Sequence, residues 1–133
     1  MKGSYILLIR VKSPQNIKVG RLGTIRFDPG FYAYVGSALN NLEKRIERHK
    51  RSEKKLFWHI DYLLQHANII EVFRIERTCK LECKIAQNLS QNTQHIPKFG
   101  CSDCSCKSHL FYHKDEKLMR KVIEDAIKND YEK

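Results

Sequence analysis

The chain has no apolar run approaching the length of about 18 residues that a membrane span needs. Its N-terminus also lacks the basic, apolar and small-residue order of a secretory signal. These absences argue against a spanning helix and lead to the expectation of a cytoplasmic protein with no membrane partner. Internal repeats are missing, so a solenoid or propeller is not expected. Acidic residues are scarce, with 15 Asp and Glu set against 25 Lys and Arg for a net charge of +10. That balance raises the case for a polyanionic partner, since cations that neutralise backbone phosphates release condensed counterions. An even complement of cysteines is lacking too. Five cannot all pair within one chain, and in a reducing compartment they are better read as thiols or metal ligands than as a disulfide frame.

At 133 residues the chain suits one domain with a real core. Residues 1–92 supply sheet and helices, 93–114 a cysteine-rich loop and 115–133 a terminal helix. Gly3 to Val11 is an apolar run of strand length that ends before the turn-forming Ser13-Pro14. Asn16 to Gly20 and Gly23 to Phe27 read as two short strands around Arg21-Leu22, and Asp28-Pro29-Gly30 is a turn. Phe31 to Val35 is an aromatic and β-branched strand broken at Gly36-Ser37, so the first half reads as a four-stranded antiparallel meander.

Asn40 is placed to cap the next helix, with Glu43 three positions on as in a capping box. On that helix Leu39, Leu42 and Ile46 make an apolar seam, with Arg45 and His49 along its edge at the boundary of core and water. Leu56 to Ala67 reads as a second helix anchored by Trp58, and Asn68 to Glu76 as a further strand. Cys79 to Leu89 reads as a helix with Leu81, Ile85 and Leu89 inward, and Glu82 beside that seam. Glu116 to Asn129 reads as a final helix with Leu118, Val122, Ile123 and Ile127 inward. The fold class expected is α+β, a central, mostly antiparallel sheet flanked by helices.

The opening between Tyr34, Gly36, Arg45 and His49 suits a phosphate. A guanidinium gives fixed bidentate contacts to phosphate oxygens, and a glycine lets a ligand approach the backbone. Arg48, Lys50, Arg51, Lys54 and Lys55 extend that charge along the helix end and loop, as DNA contacts or as an ordinary solvated helix terminus. Cys101-x-x-Cys104-x-Cys106-x-x-His109, with Cys79 and Cys83 on one helix face, offers enough soft ligands for zinc. The spacing is irregular and a second C-x-x-C is missing, so packed thiols, a structural zinc and a disulfide all stay open.

Gly3-Ser4-Tyr5, Tyr34-Val35-Gly36, Arg45, His49 and Glu82 together resemble the pattern of GIY-YIG endonucleases. The longer segments WHIDYLL (Trp58 to Leu64) and FGCSDCSCKSHLFY (Phe99 to Tyr112) resemble a little-characterised prokaryotic branch of that superfamily, whose domain is sometimes fused to a base-excision glycosylase. The resemblance implies metal-dependent hydrolysis of phosphodiesters in double-stranded or branched DNA, structure-directed or repair-associated, with one divalent ion, magnesium or manganese. It implies that Tyr5 activates the attacking water, Tyr34 positions the phosphate, Arg45 stabilises the transition state and Glu82 holds the metal, with Asp61 as a rival carboxylate. The wide separation of the two tyrosines implies a hairpin, Asn16 to Phe27, inserted between them. From other classes, a nucleic-acid-binding module without catalysis and a protein-interaction domain fit the same charge.

Overall fold

In the computed structural model, residues 3–38, 41–51, 55–56, 58–75, 82–91, 93–100 and 108–131 are described, with the side chains of 82–84 and 129–131 left aside. Strand β1 (Gly3–Val11) owes its position to a run with no charged residue before Arg10, the pattern of a strand covered on both faces. Its odd residues Tyr5, Leu7, Ile9 and Val11 enter one core, and its even residues Ile6 and Leu8 enter a second.

The order continues as β2 (Gln15–Lys18), a 3-10 turn at Gly20–Leu22, β3 (Thr24–Phe27), β4 (Gly30–Ala38), α1 (Leu42–Lys50), α2 (His59–Leu64), β5 (Asn68–Ile75), α3 (Glu82–Ser90), β6 (Gln94–His95), β7 (Leu110–His113) and α4 (Glu116–Tyr131). Five strands form one sheet in the order β5-β1-β4-β7-β6, with every neighbouring pair antiparallel. The expected α+β class is the observed one. No described helix is long and apolar enough to cross a membrane.

Helices sit on both faces. Leu42 and Ile46 of α1 and Ile60 and Leu63 of α2 join Tyr5, Leu7, Tyr34 and Phe99 in the first core. Ile85, Ala86 and Leu89 of α3 and Met119, Ile123 and Ala126 of α4 join Ile6, Leu8, Val35 and Phe111 in the second.

Six expectations need correcting. The β2–β3 hairpin does not extend a meander but forms its own two-stranded sheet, and Ile17, Val19 and Phe27 bury it over the first core. Strand β4 does not break at Gly36 and runs to Ala38, because Gly36 pairs with Tyr5 in the ladder. Asn41, rather than Asn40, caps α1 by accepting from the Lys44 N–H at 3.0 Å, while Glu43 reaches across to Arg74. Helix α2 is only six residues long, with Leu56 left exposed before it. In α4 the seam is Met119, Ile123 and Ala126, and Leu118, 49% exposed, faces water. Strand β7 lies in a segment read as irregular, and it pairs Leu110 with Tyr34 and Phe111 with Ala33.

Gly36 is required by the close packing of the two strands. A Cβ there would lie 2.4 Å from the Tyr5 hydroxyl oxygen and 2.5 Å from its ring carbon Cζ, so the ring occupies the space a side chain would need. Gly36→Ala is expected to cost about 1–3 kcal/mol by overpacking, read as a fall in the urea midpoint at unchanged m value. A variant as stable as wild type would mean that the Tyr5 ring has room to move.

Candidate functional site

The site is assembled by the β1–β4 ladder and closed by α1. Tyr5 lies over Gly36 and turns its hydroxyl to His49, whose Nε2 is 2.7 Å away. Which atom donates depends on the imidazole tautomer. Tyr34, two residues before Gly36 and so on the same face, places its ring 6.4 Å from Tyr5 and 6.1 Å from His49. Phe99 backs Tyr34 at 6.3 Å, and Trp58 stands 5.9 Å from His49.

His49 is not at the water boundary. It is 2% exposed and continues the Leu42–Ile46 seam at helical spacing, so its ring faces the sheet. Tyr5 is 1% exposed. Their hydrogen bond therefore joins two polar groups inside a core, where leaving either unpaired would cost about 1–3 kcal/mol.

Arg45 stays at the rim, half-buried. One of its five N–H groups donates to the Ser37 carbonyl at 3.0 Å, and its guanidinium lies over the Trp58 ring, 4.3 Å from the centroid. Arg48 lies over the same ring at the same distance. Its position is set more firmly, by two bonds to the Asp61 carboxylate at 2.9 and 3.0 Å and one to the Lys55 carbonyl. Asp61 is fully buried and also accepts from the Trp58 N–H at 2.8 Å, which fixes the start of α2. Stacking of this kind contributes about 0.5–2 kcal/mol, whereas stripping the partner from a buried charge costs about 3–5 kcal/mol. Asp61 thus governs where Arg48 sits, and Trp58 lies against both guanidinium groups.

The rival metal ligand does not fit an ion in this arrangement. Both oxygens of Asp61 already accept charged or backbone N–H donors. Among the described residues no three His, Cys, Asp or Glu side chains gather as a metal cage. Glu82 is the first residue of α3, the helix that packs on the opposite face of the sheet from Tyr5, and its carboxylate lies outside the described side chains. Cys79, Cys101, Cys104, Cys106 and Lys54 fall outside the described residues, as does the side chain of Cys83. Lys50, Arg51 and Lys55 are exposed beside the site.

His109 is buried beneath the site, with its Nδ1 3.2 Å from the Val35 carbonyl and its own carbonyl accepting from the Val35 N–H. His59 accepts from the Gly100 N–H through Nδ1 at 2.8 Å, and burial pulls its pKa below the usual histidine value, favouring the neutral ring that this bond requires. The sequence treated Trp58 as an anchor of the core and passed over Phe99. The usable signal was a tryptophan three residues after a basic run, since tryptophan is the best partner for guanidinium groups.

A family model described as "Domain of unknown function DUF123" matches residues 4–131, and the chain belongs to that family. Comparison with curated proteins and with solved structures gives no match.

Arg48→Met is expected to lower stability by about 3 kcal/mol, because it strands the buried Asp61 charge. Adding Asp61→Asn should restore part of the loss, giving a coupling of roughly 0.5–3 kcal/mol in a double-mutant cycle followed by urea unfolding. If Arg48 were only a surface contact for a ligand, both changes would be independent and the first nearly neutral.

Proposed function

We propose that the chain is a DNA endonuclease of the GIY-YIG type that hydrolyses phosphodiesters in double-stranded or branched DNA with a divalent ion, magnesium or manganese. The observation that carries this reading is the Tyr5–His49 hydrogen bond at 2.7 Å, with Tyr34 and the rim guanidinium of Arg45 on the same face. A water attacking phosphorus must lose a proton. Tyr5 can take it on its hydroxyl oxygen while passing its own proton to His49 Nε2, so no net charge is left on the phenol.

Arg45 spends one donor on Ser37, and its other N–H groups suit the oxygens on which charge develops as the phosphorus becomes five-coordinate. The Tyr34 hydroxyl would orient the same phosphate. The ion would add Lewis-acid stabilisation of that charge. Lys50, Arg51 and Lys55 would hold the flanking backbone without reading bases.

A second reading has its own support. Tyr5 and His49 are 1% and 2% exposed, closed to an attacking water, as in a module that binds DNA through its rim cations without cutting it. The two are separated by incubating wild type with supercoiled plasmid and with branched DNA in magnesium or manganese. The nuclease reading predicts nicking that falls by about 10²-fold or more in Tyr5→Phe and in Arg45→Ala, with Tyr5→Phe still binding DNA. Wild type that cuts no faster than Tyr5→Phe would sink catalysis, and salt-dependent binding alone would then favour the second reading.

A further inference from the structure

At the other end of the β1–β4 pair lies a hollow of about 220 Å³. The strand rises about 3.3 Å per residue, which puts Arg10 roughly 17 Å from Tyr5 along β1. The hollow is lined by Arg10, Lys12 and Lys114, by Val11, and by the Pro29–Phe31 turn into β4. The cations come from two distant parts of the chain, the end of β1 and the turn that leads from β7 into α4. No acidic residue lines the hollow, and these three cations make no hydrogen bond or ion pair with another described residue.

The acceptors close to this turn are already engaged. Asp28 pairs with Arg26, and Asp115 accepts from the N–H groups of Lys117 and Leu118 at the start of α4. The carbonyls of Asp28 and Pro29 accept from the hydroxyls of Tyr32 and Tyr112, both at 2.8 Å. Those tyrosines also fix the turn. Gly30 has φ +144°, and a Cβ there would meet the Tyr112 ring at 2.7 Å, so that ring packs directly on the turn. Like charges around one hollow repel unless an anion lies between them. A water occupies about 30 Å³ of liquid, so there is room for a phosphate group with part of its hydration.

We propose that the hollow bounded by Arg10, Lys12 and Lys114 is a phosphate-binding site separate from the Tyr5–Arg45 site. Its ligand is a phosphate group, carried either on a nucleic-acid backbone or on a small phosphorylated molecule. The site stands on its own geometry and holds whether or not the chain cuts DNA.

The test uses ¹⁵N-labelled full-length protein and the variant Arg10→Gln/Lys12→Gln/Lys114→Gln, whose substituted residues are all exposed. Millimolar inorganic phosphate should shift the Gly30 and Phe31 amide resonances in wild type and leave them unmoved in the variant. A short labelled DNA duplex provides the second arm. If the ligand is a backbone phosphate, the variant binds the duplex about tenfold more weakly at low salt, and its salt slope is smaller by about two to three units. If the phosphate shifts vanish in the variant while duplex affinity and slope stay the same, the site holds and its ligand is a free phosphorylated molecule. If neither inorganic phosphate nor the duplex moves Gly30 and Phe31 in wild type, the proposal is overturned. DNA cleavage by wild type and Tyr5→Phe is scored separately, so the loss of one reading leaves the other standing.

Discussion

The Tyr5 ring packed against the bare Cα of Gly36 is the contact on which the rest of the site depends. The β1–β4 register sets these two residues opposite each other, and only a glycine leaves the ring room to lie flat over the neighbouring strand. From that position the hydroxyl has one direction in which to find a partner, and α1 supplies it as His49. Moving the register by one residue would turn one strand's side chains to the opposite core and part Tyr5 from Tyr34. Strand pairing and the site's chemistry are thus fixed by the same contact.

A second line of support runs around the rim, from buried Asp61 through Arg48 to Trp58 and then to Arg45. Only the last of these needs to meet a ligand. Arg48 neutralises a charge that would otherwise be stranded in the core, and Asp61 also sets the first turn of α2 and so the height of Trp58. The tryptophan then presents a surface on which Arg45 can rest while keeping donors to spare. The basic surface of this chain is therefore not uniform. Arg48 is internal support, Lys50, Arg51 and Lys55 are solvated, and Arg10, Lys12 and Lys114 gather at the far end of the sheet.

Much of this was legible in the residues and some of it was not. The central strand β1 could be read because nine residues carry a single charged side chain, near the end, and α3 because Ile85 and Leu89 keep helical spacing. Tyr34 and Tyr5 were recognised as partners, and the geometry brings them to one face. Strand β7 was hidden because four residues among cysteines and lysines gain strand structure only by pairing with β4, a contact far away in sequence. Gly36 looked like a gap for a ligand, since sequence gives a glycine's freedom but not what fills it. His49 was assigned to the edge of the seam because histidine is polar, although its spacing from Leu42 and Ile46 already pointed inward. Asp61 was weighed as a metal ligand because a carboxylate on an apolar helix stands out. Its partner Arg48 lies on another helix, and such pairing is not visible in a linear chain.

The central claim is that the buried Tyr5–His49 pair moves a proton during phosphodiester hydrolysis rather than merely satisfying two polar groups in a core. The most direct measurement is single-turnover cleavage of branched DNA by wild type and His49→Gln, with duplex affinity and thermal midpoint taken on the same samples. Glutamine can still hydrogen-bond to the Tyr5 hydroxyl but cannot accept its proton. The account predicts cleavage slowed by about 10²–10⁴-fold at near-native affinity and midpoint. Equal cleavage rates in the two proteins would contradict it.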